Sequence, residues 1–170
     1  MRTLYIMRHA KSRWNEPDAA DHERGLKKRG KRDATMMGHA LAERAAPPYL
    51  IVSSTARRAK ATARRVARAW GYEGEVRLED TLYERGPLQC IEMLRELPDS
   101  AQSVLLIGHN PTLENLVWAM GGPRLSLSTC ATICMAVNIE SWSDLALTSE
   151  SQVRFVLKPK DLRTRDDTTA

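Results

Sequence analysis

The chain opens on a short apolar run, Thr3–Met7, rich in strand formers and halted by Arg8, His9 and Ala10. Such a run predicts a buried strand. From Lys11 to about Gly25 the residues turn polar and include Pro17, which fits a functional loop. Leu26, Met37, Ala40 and Leu41 then fall on one helical stripe, with Lys and Arg between them. This predicts an amphipathic helix as far as Glu43, ended by Ala45–Pro48. A second strand is expected at Tyr49–Val52, stopping at Ser53-Ser54, and a strongly basic helix from about Arg57 to Trp70, closed by Gly71. Val76–Leu78 reads as a short strand and Leu88–Leu97 as a helix, with Ile91, Leu94 and Leu97 on one face. Ser103–Ile107 is the third clear strand and ends at Gly108-His109-Asn110. Asn110 reads as the cap and Pro111 as the first position of a helix that runs through Met120 to Gly121-Gly122. Two more strands are predicted at Ala131–Ile139 and Gln152–Leu157, before a polar, fraying tail at Thr164–Ala170.

Strands alternating with helices predict a layered α/β domain with a largely parallel sheet. A single domain over residues 1–163 is expected, with 164–170 as the tail. The length of 170 residues, 42% hydrophobic and 28% charged, is ordinary for one globular domain. No apolar run approaches the roughly 18 residues of a membrane span. The segment Met1–Met7 lacks the long apolar core and cleavage site of a signal peptide, so a cytoplasmic location is expected. Cys90, Cys130 and Cys134 are odd in number and form no Cys-x-x-Cys pair. They read as buried free thiols rather than a disulfide framework or a zinc site. Charge changes the picture more: 26 Lys and Arg against 21 Asp and Glu leave a net +5. That points to an anionic partner without choosing among nucleic acid, a membrane surface and a phosphorylated substrate.

Three predicted strands end in reactive groups. The first ends at Arg8 and His9, the second is followed within one loop by Arg57 and Arg58, and the third ends at His109. Ligands of open α/β sheets bind beyond the carboxyl ends of the strands. Parallel neighbours would therefore bring two histidines and at least two arginines to one pocket. No Asp or Glu lies in these motifs, so the pocket is expected to attract anions rather than metal cations. Arginine's planar fork matches phosphate oxygens and keeps its charge at any working pH. A neutral imidazole nitrogen is a competent nucleophile toward phosphorus, and a second histidine can donate to a non-bridging oxygen. The set predicts phosphoryl transfer through a phosphohistidine on the enzyme, then attack by water, with no metal and no cofactor. A lone histidine after a strand, or a basic helix, is more often structural or simply solvated. The coincidence of three strand ends carries the expectation. His22, in a charged loop, and His39, within a helix, read as structural or surface residues.

These residues also carry a family resemblance. Leu4-Tyr5-Ile6-Met7-Arg8-His9-Ala10 resembles the signature of the histidine phosphatase superfamily in its Arg-His-Ala form. The stretch from Ser53 to Thr62 resembles the second motif, a small-residue loop with an Arg-Ala pair and a Thr three residues later, which selects Arg58 over Arg57. Ile107-Gly108-His109-Asn110-Pro111 is similar to the motif carrying the second histidine. Within the superfamily the chain resembles the short, SixA-like phosphohistidine phosphatases. Arg24-Gly25-Leu26 with Lys28-Arg29-Gly30 follows their pattern, Gly25 standing for the usual Pro, and the ending from Phe155 to Leu162 is also similar. The resemblance implies a three-layer α/β/α sandwich around a mostly parallel sheet, as in phosphoglycerate mutases. His9 would be the phosphoryl acceptor, with Arg8, Arg58 and His109 forming the phosphate pocket. Ser12, Trp14 and Asn15 match a Ser-x-Trp-Asn stretch of mutase-like members, which implies substrate-binding roles for Ser12 and Asn15; Ala10 departs from the Gly found there. Leu82-Tyr83-Glu84-Arg85 resembles the loop that supplies a carboxylic acid, making Glu84 a candidate proton donor. The alternative is an exposed Glu84 paired with Arg85.

The preferred reading is a phosphatase acting on phosphohistidine in a protein, because the chain is short and imidazole leaves more readily than an alkoxide. The second is hydrolysis of a small phosphomonoester, with Glu84 as the discriminating residue. A third, a non-enzymatic nucleic-acid-binding module, rests on the net charge and on Arg57, Arg58, Lys60, Arg64, Arg65 and Arg68. No helix-turn-helix, zinc-finger or aromatic RNA-reading motif supports it. The expected partner is thus a phosphorylated protein or a small phosphomonoester, neither nucleic acid nor membrane, and a monomer fits.

Overall fold

The computed structural model describes residues 1–13 and 20–166, without the side chains of Glu84 and residues 164–166. Six strands form one sheet: β1 (Arg2–Arg8), β2 (Leu50–Ser54), β3 (Arg77–Glu79), β4 (Ser103–Gly108), β5 (Thr132–Val137) and β6 (Ser151–Leu157). Their spatial order is β3-β2-β4-β1-β5-β6. The pairs β1/β4, β4/β2 and β2/β3 are parallel, whereas β5 runs antiparallel to β1 and β6 antiparallel to β5. The mostly parallel sheet expected from the alternation of elements is therefore present.

Period-2 alternation sorts the strand residues between two cores. Leu4 and Ile6 of β1 join Val104 and Leu106 of β4 on one face, against α4 (Pro87–Arg95) and α5 (Thr112–Ala119). Tyr5 and Met7 join Leu105 and Ile107 on the other, against α1 (Lys28–Ala42), α2 (Arg57–Trp70) and α6 (Pro159–Asp166). Burial on both faces explains why β1 and β4 read as continuous apolar runs. The helices α1 and α2 pack tightly because α1 presents Gly38: a Cβ there would lie 2.6 Å from the Ala69 Cβ. Gly71 ends α2 with φ 78°, a left-handed conformation that glycine adopts without strain.

The sheet also fixes where a ligand binds. The chain steps from β1 to β2 to β3 with α1 and α2 on one face, then returns to β4 with α4 on the other. The crevice at such a reversal lies beyond the carboxyl ends of the strands, here those of β1 and β4.

Three local expectations change. Pro111 sits at the N-cap of α5 rather than inside its first turn, and no side chain caps that helix. Asn110 instead donates its amide to the Leu127 carbonyl at 2.9 Å and to Glu114 at 2.6 Å, tying two loops together. The short α3 (Thr81–Glu84) and α6 were not anticipated, and α6 takes in Thr164–Asp166. It is fastened to α1 by Arg163, whose Nη1 lies 3.2 Å from the buried Asp33 carboxylate. The three cysteines are free and buried, as their spacing suggested.

Candidate active site

Strand register brings the two histidines together. Arg8 of β1 is paired with Gly108 of β4, so the next residues, His9 and His109, emerge side by side from parallel neighbours. The His9 N–H still donates to the Gly108 carbonyl at 3.0 Å, and the two imidazole centroids are 4.9 Å apart. Ser53 of β2 is paired with Ile107, which carries Ser54 alongside and sets its Oγ 2.8 Å from His109 Nε2. Cys130 ties down the backbone at the end of β1. Its N–H donates to the carbonyls of both Arg8 and His9, at 3.0 and 3.1 Å, and it takes φ 67°, unusual for a residue with a side chain. Thr62 links the first motif to the second: its Oγ accepts from the Ala10 N–H at 3.0 Å and donates to the Arg58 carbonyl at 2.8 Å.

The hydrogen bonds determine both tautomers. His9 Nδ1 lies 2.8 Å from the Ala10 carbonyl, which only accepts, so Nδ1 carries the proton. The Nε2 lone pair of His9 is left facing the pocket, where Arg58 Nε donates to it at 3.3 Å. Arg58 Nη2 sits 3.3 Å from His109 Nδ1, so that nitrogen accepts and His109 donates from Nε2 to Ser54. One guanidinium thus spans both imidazoles.

Electrostatics keep both rings neutral. Burial lowers the pKa of His9 to about 4, helped by the charges of Arg58, Arg8 and Arg24. Burial lowers that of His109 to about 3, aided by His9 and Arg58. A desolvated imidazole among guanidinium groups has little to gain from a further positive charge. Arg8 donates from Nη1 to the Leu127 carbonyl at 3.0 Å, and its buried Nε has no partner among the described residues.

The pocket, about 620 Å³, contains an acid that the strand-end motifs did not disclose. Asp21 reaches in from the loop before α1. Its Oδ2 accepts from Arg58 Nη2 at 2.9 Å and from the Tyr83 hydroxyl at 3.0 Å. Its Oδ1 accepts from Arg24 Nε at 2.9 Å, and its carbonyl from Arg58 Nη1 at 2.6 Å. Although partial burial opposes it, hydrogen bonds from Arg24, Tyr83 and Arg58 bring the Asp21 carboxyl down to about 2. The pocket stays cationic: Arg8, Lys11, Arg24 and Arg58 line it against one carboxylate among the described residues, Asp21. Among the described residues no group of three or more His, Cys, Asp or Glu side chains is placed to hold a metal ion.

Of the residues singled out by sequence, Arg8, His9, Arg58, His109 and Ser12 all line this pocket. Arg57 points elsewhere, exposed, within 3.4 Å of the Glu23 carbonyl. Ser12 is buried and accepts from Arg24 Nη1 at 3.3 Å. Asn15 lies outside the described residues; Glu84 ends α3, and its side chain is likewise outside the description. His22 is a rim residue, hydrogen-bonded to Thr55 at 3.0 Å and edge-on to Tyr83, and His39 is exposed on α1. Asp21, Tyr83 and the structural use of Arg24 were missed. The patterns around Arg24 and at Leu82-Tyr83-Glu84-Arg85 were the available hints, the second pointing to Glu84 rather than Tyr83; nothing local marks Asp21.

The model of the histidine phosphatase superfamily (branch 1) matches residues 4–103 of the chain. An uncharacterized protein of Mycobacterium leprae is 30% identical over 161 residues, covering 88% of this chain and 98% of that one. A crystal structure from Agrobacterium tumefaciens, named as a candidate phosphohistidine phosphatase SixA, superposes with a TM-score of 0.79 at 27% identity over 93% of this chain and 98% of that one. The protein histidine phosphatase SixA complexed with tungstate has the same fold, with a TM-score of 0.82 at 21% identity over 94% of this chain and 99% of that one.

Proposed function

Because this chain belongs to the histidine phosphatase superfamily, we propose that it hydrolyses phosphohistidine on a protein, through a phosphohistidine formed on its own His9. The observation that carries this reading is Arg58 bridging His9 Nε2 and His109 Nδ1 at 3.3 Å each. A phosphoryl group set against the His9 lone pair meets that guanidinium at once.

In the first step His9 Nε2 attacks phosphorus, while the bond from phosphorus to the substrate imidazole breaks and its electron pair stays with that leaving nitrogen. Arg58 and Arg8 hold the non-bridging oxygens, and the unpaired Arg8 Nε supplies a donor without breaking an existing bond. His109 shifts its proton to Nδ1 to donate to the same oxygens, and Ser54 follows by donating to Nε2, since a hydroxyl does either. In the second step water attacks phosphorus, the bond to Nε2 breaks with its electron pair returning to Nε2, and phosphate leaves with the water oxygen and both its protons. The Nδ1–H bond to Ala10 holds the ring orientation throughout. A substrate ring protonated on its other nitrogen departs as neutral imidazole without a separate acid, so this chemistry does not depend on Glu84.

Brief reaction with a labelled phosphohistidine peptide tests the reading. An acid-labile, base-stable phosphoenzyme is expected on the wild type and absent from His9→Ala, whose turnover drops by at least about 10⁴-fold. Full activity of His9→Ala would reject the mechanism. Hydrolysis of sugar phosphates or nucleotides but not phosphohistidine peptides, abolished by Glu84→Gln, would replace the substrate with a small phosphomonoester.

A further inference from the structure

The layer formed by α1 and α2 holds a second set of cations that the pocket does not use. Lys31 and Arg32 on α1, and Arg64, Arg65 and Arg68 on α2, have no carboxylate partner among the described residues. Several arginines nearer the pocket or on other elements are paired instead: Arg24 and Arg58 with Asp21, Arg29 and Arg163 with Asp33, Arg77 with Glu79. These five cations are not spread over a convex face. They rim two adjoining hollows of about 610 and 530 Å³ that share Thr35, His39 and Arg65. Apolar atoms of Met36, Ala40 and Leu162 line the first hollow, and Ala61 and Ala69 the second. Among the described residues Glu43 is the single carboxylate lining either of them, at one end.

A concave surface with low-dielectric walls and charges of one sign concentrates its field on whatever enters. The groove follows the helix that carries Arg58. Arg58 stands in the first turn of α2, so Arg64 and Arg68 lie roughly 9 and 15 Å further along the helix axis. An occupant running along α2 toward its first turn approaches the residue that reaches into the pocket.

We propose that this groove docks an acidic, partly apolar segment of the phosphorylated protein while its phosphohistidine occupies the pocket. The proposal rests on the phosphohistidine reading above. Charge complementarity selects an acidic occupant, and the aliphatic floor selects a polypeptide. A nucleic acid would match the charge, but the lining offers no aromatic platform for bases other than the imidazole of His39.

The test uses two synthetic peptides, each with one phosphohistidine. One carries a run of Glu, Asp and Leu starting about five residues away, a reach of roughly 16 Å in extended chain; the other has Ser and Gln there. Imidazole phosphate reports on the pocket alone. At about 50 mM salt the wild type is expected to favour the acidic peptide by about tenfold in kcat/KM, through KM, and to lose the preference near 0.5 M. Replacing Arg64, Arg65 and Arg68 together by Gln should remove the preference and leave imidazole phosphate hydrolysis within about twofold. Lys31→Gln with Arg32→Gln, on the opposite wall, should weaken it independently, which guards against a folding defect in the first variant. No preference in the wild type, or a preference that survives both variants, overturns the groove and leaves the phosphohistidine reading intact. Failure to hydrolyse imidazole phosphate and both peptides overturns that reading, and the groove proposal with it. Inhibition by an oligonucleotide through the same arginines, with no effect of peptide acidity, overturns the proposal in favour of nucleic acid.

Discussion

Two groups of cations in this molecule behave oppositely. Around His9, Arg58 is buried and its donors are committed to two imidazoles and Asp21. Along the outer side of α1 and α2, Arg64 and Arg68 are exposed and without an ion partner among the described residues. The first group is fewer in charges but stronger in effect, because desolvation magnifies each interaction and the surrounding hydrogen bonds fix its direction. The second has more charge, hydrated and screened by salt, which suits it to attracting a partner rather than to chemistry. Positive charge is thus a poor measure of a site. How many donors are locked in place, and against what, is a better one.

The sharpest way to break this contrast is to remove one locked donor. Arg58→Ala and His109→Ala should each lower kcat by about 10²–10³-fold, the usual cost of losing one transition-state donor in a dry site. Single-turnover phosphorylation of His9 would report it, and a loss below about tenfold would place Arg58 with the hydrated group.

Acidification comes next. With the His9 pKa lowered to about 4 and that of His109 to about 3, the free enzyme keeps both rings neutral well below pH 6. The profile of kcat/KM should therefore hold from neutrality to about pH 5 and fall about tenfold per unit below pH 4. The same shifts act on folding. In the unfolded chain these histidines take up protons near their ordinary value of about 6.5, so the unfolded state binds more protons between that value and the folded ones. Stability is expected to decrease as pH falls from about 6.5 toward 4, and urea unfolding across that range measures it.

Thr62→Val tests the scaffold beneath the locked group. The substitution keeps the volume and leaves the Ala10 N–H buried without its acceptor, so a loss of about 1–3 kcal/mol is expected in urea unfolding. A neutral result would mean that a water or another hydroxyl replaces it.

The smallest effect is expected at Asp21. Its side chain is 54% exposed, so its pairing with Arg58 is screened despite good geometry. Asp21→Asn should tighten inhibition by inorganic phosphate only about two- to fivefold, because one competing anion leaves the pocket. Weaker phosphate binding instead would show that Asp21 acts mainly by holding Arg58 in position.

The order of elements and the three motifs were legible because each depends on local pattern. The Thr3–Met7 run, the stripe through Met37 and Leu41, and the basic helix closed by Gly71 appear as β1, α1 and α2, within about two residues at most ends. Asn110 was misread because its amide finds Leu127 and Glu114, which tertiary packing brings near and which no capping pattern encodes. The weak strand β3 is displaced by one residue, having little apolar pattern to mark it.

By itself, the sequence determined which residues end the buried strands and that these are histidines and arginines, since apolar runs and their polar stops are properties of neighbours in the chain. Only the tertiary structure decided that β1 and β4 pair in the register that faces His9 with His109. It alone brought Asp21 to Arg58 across 37 residues and to Tyr83 across 62. It also gathered the surplus cations of two helices around two adjoining hollows. Those outcomes depend on strand order and helix packing, which the whole core sets together.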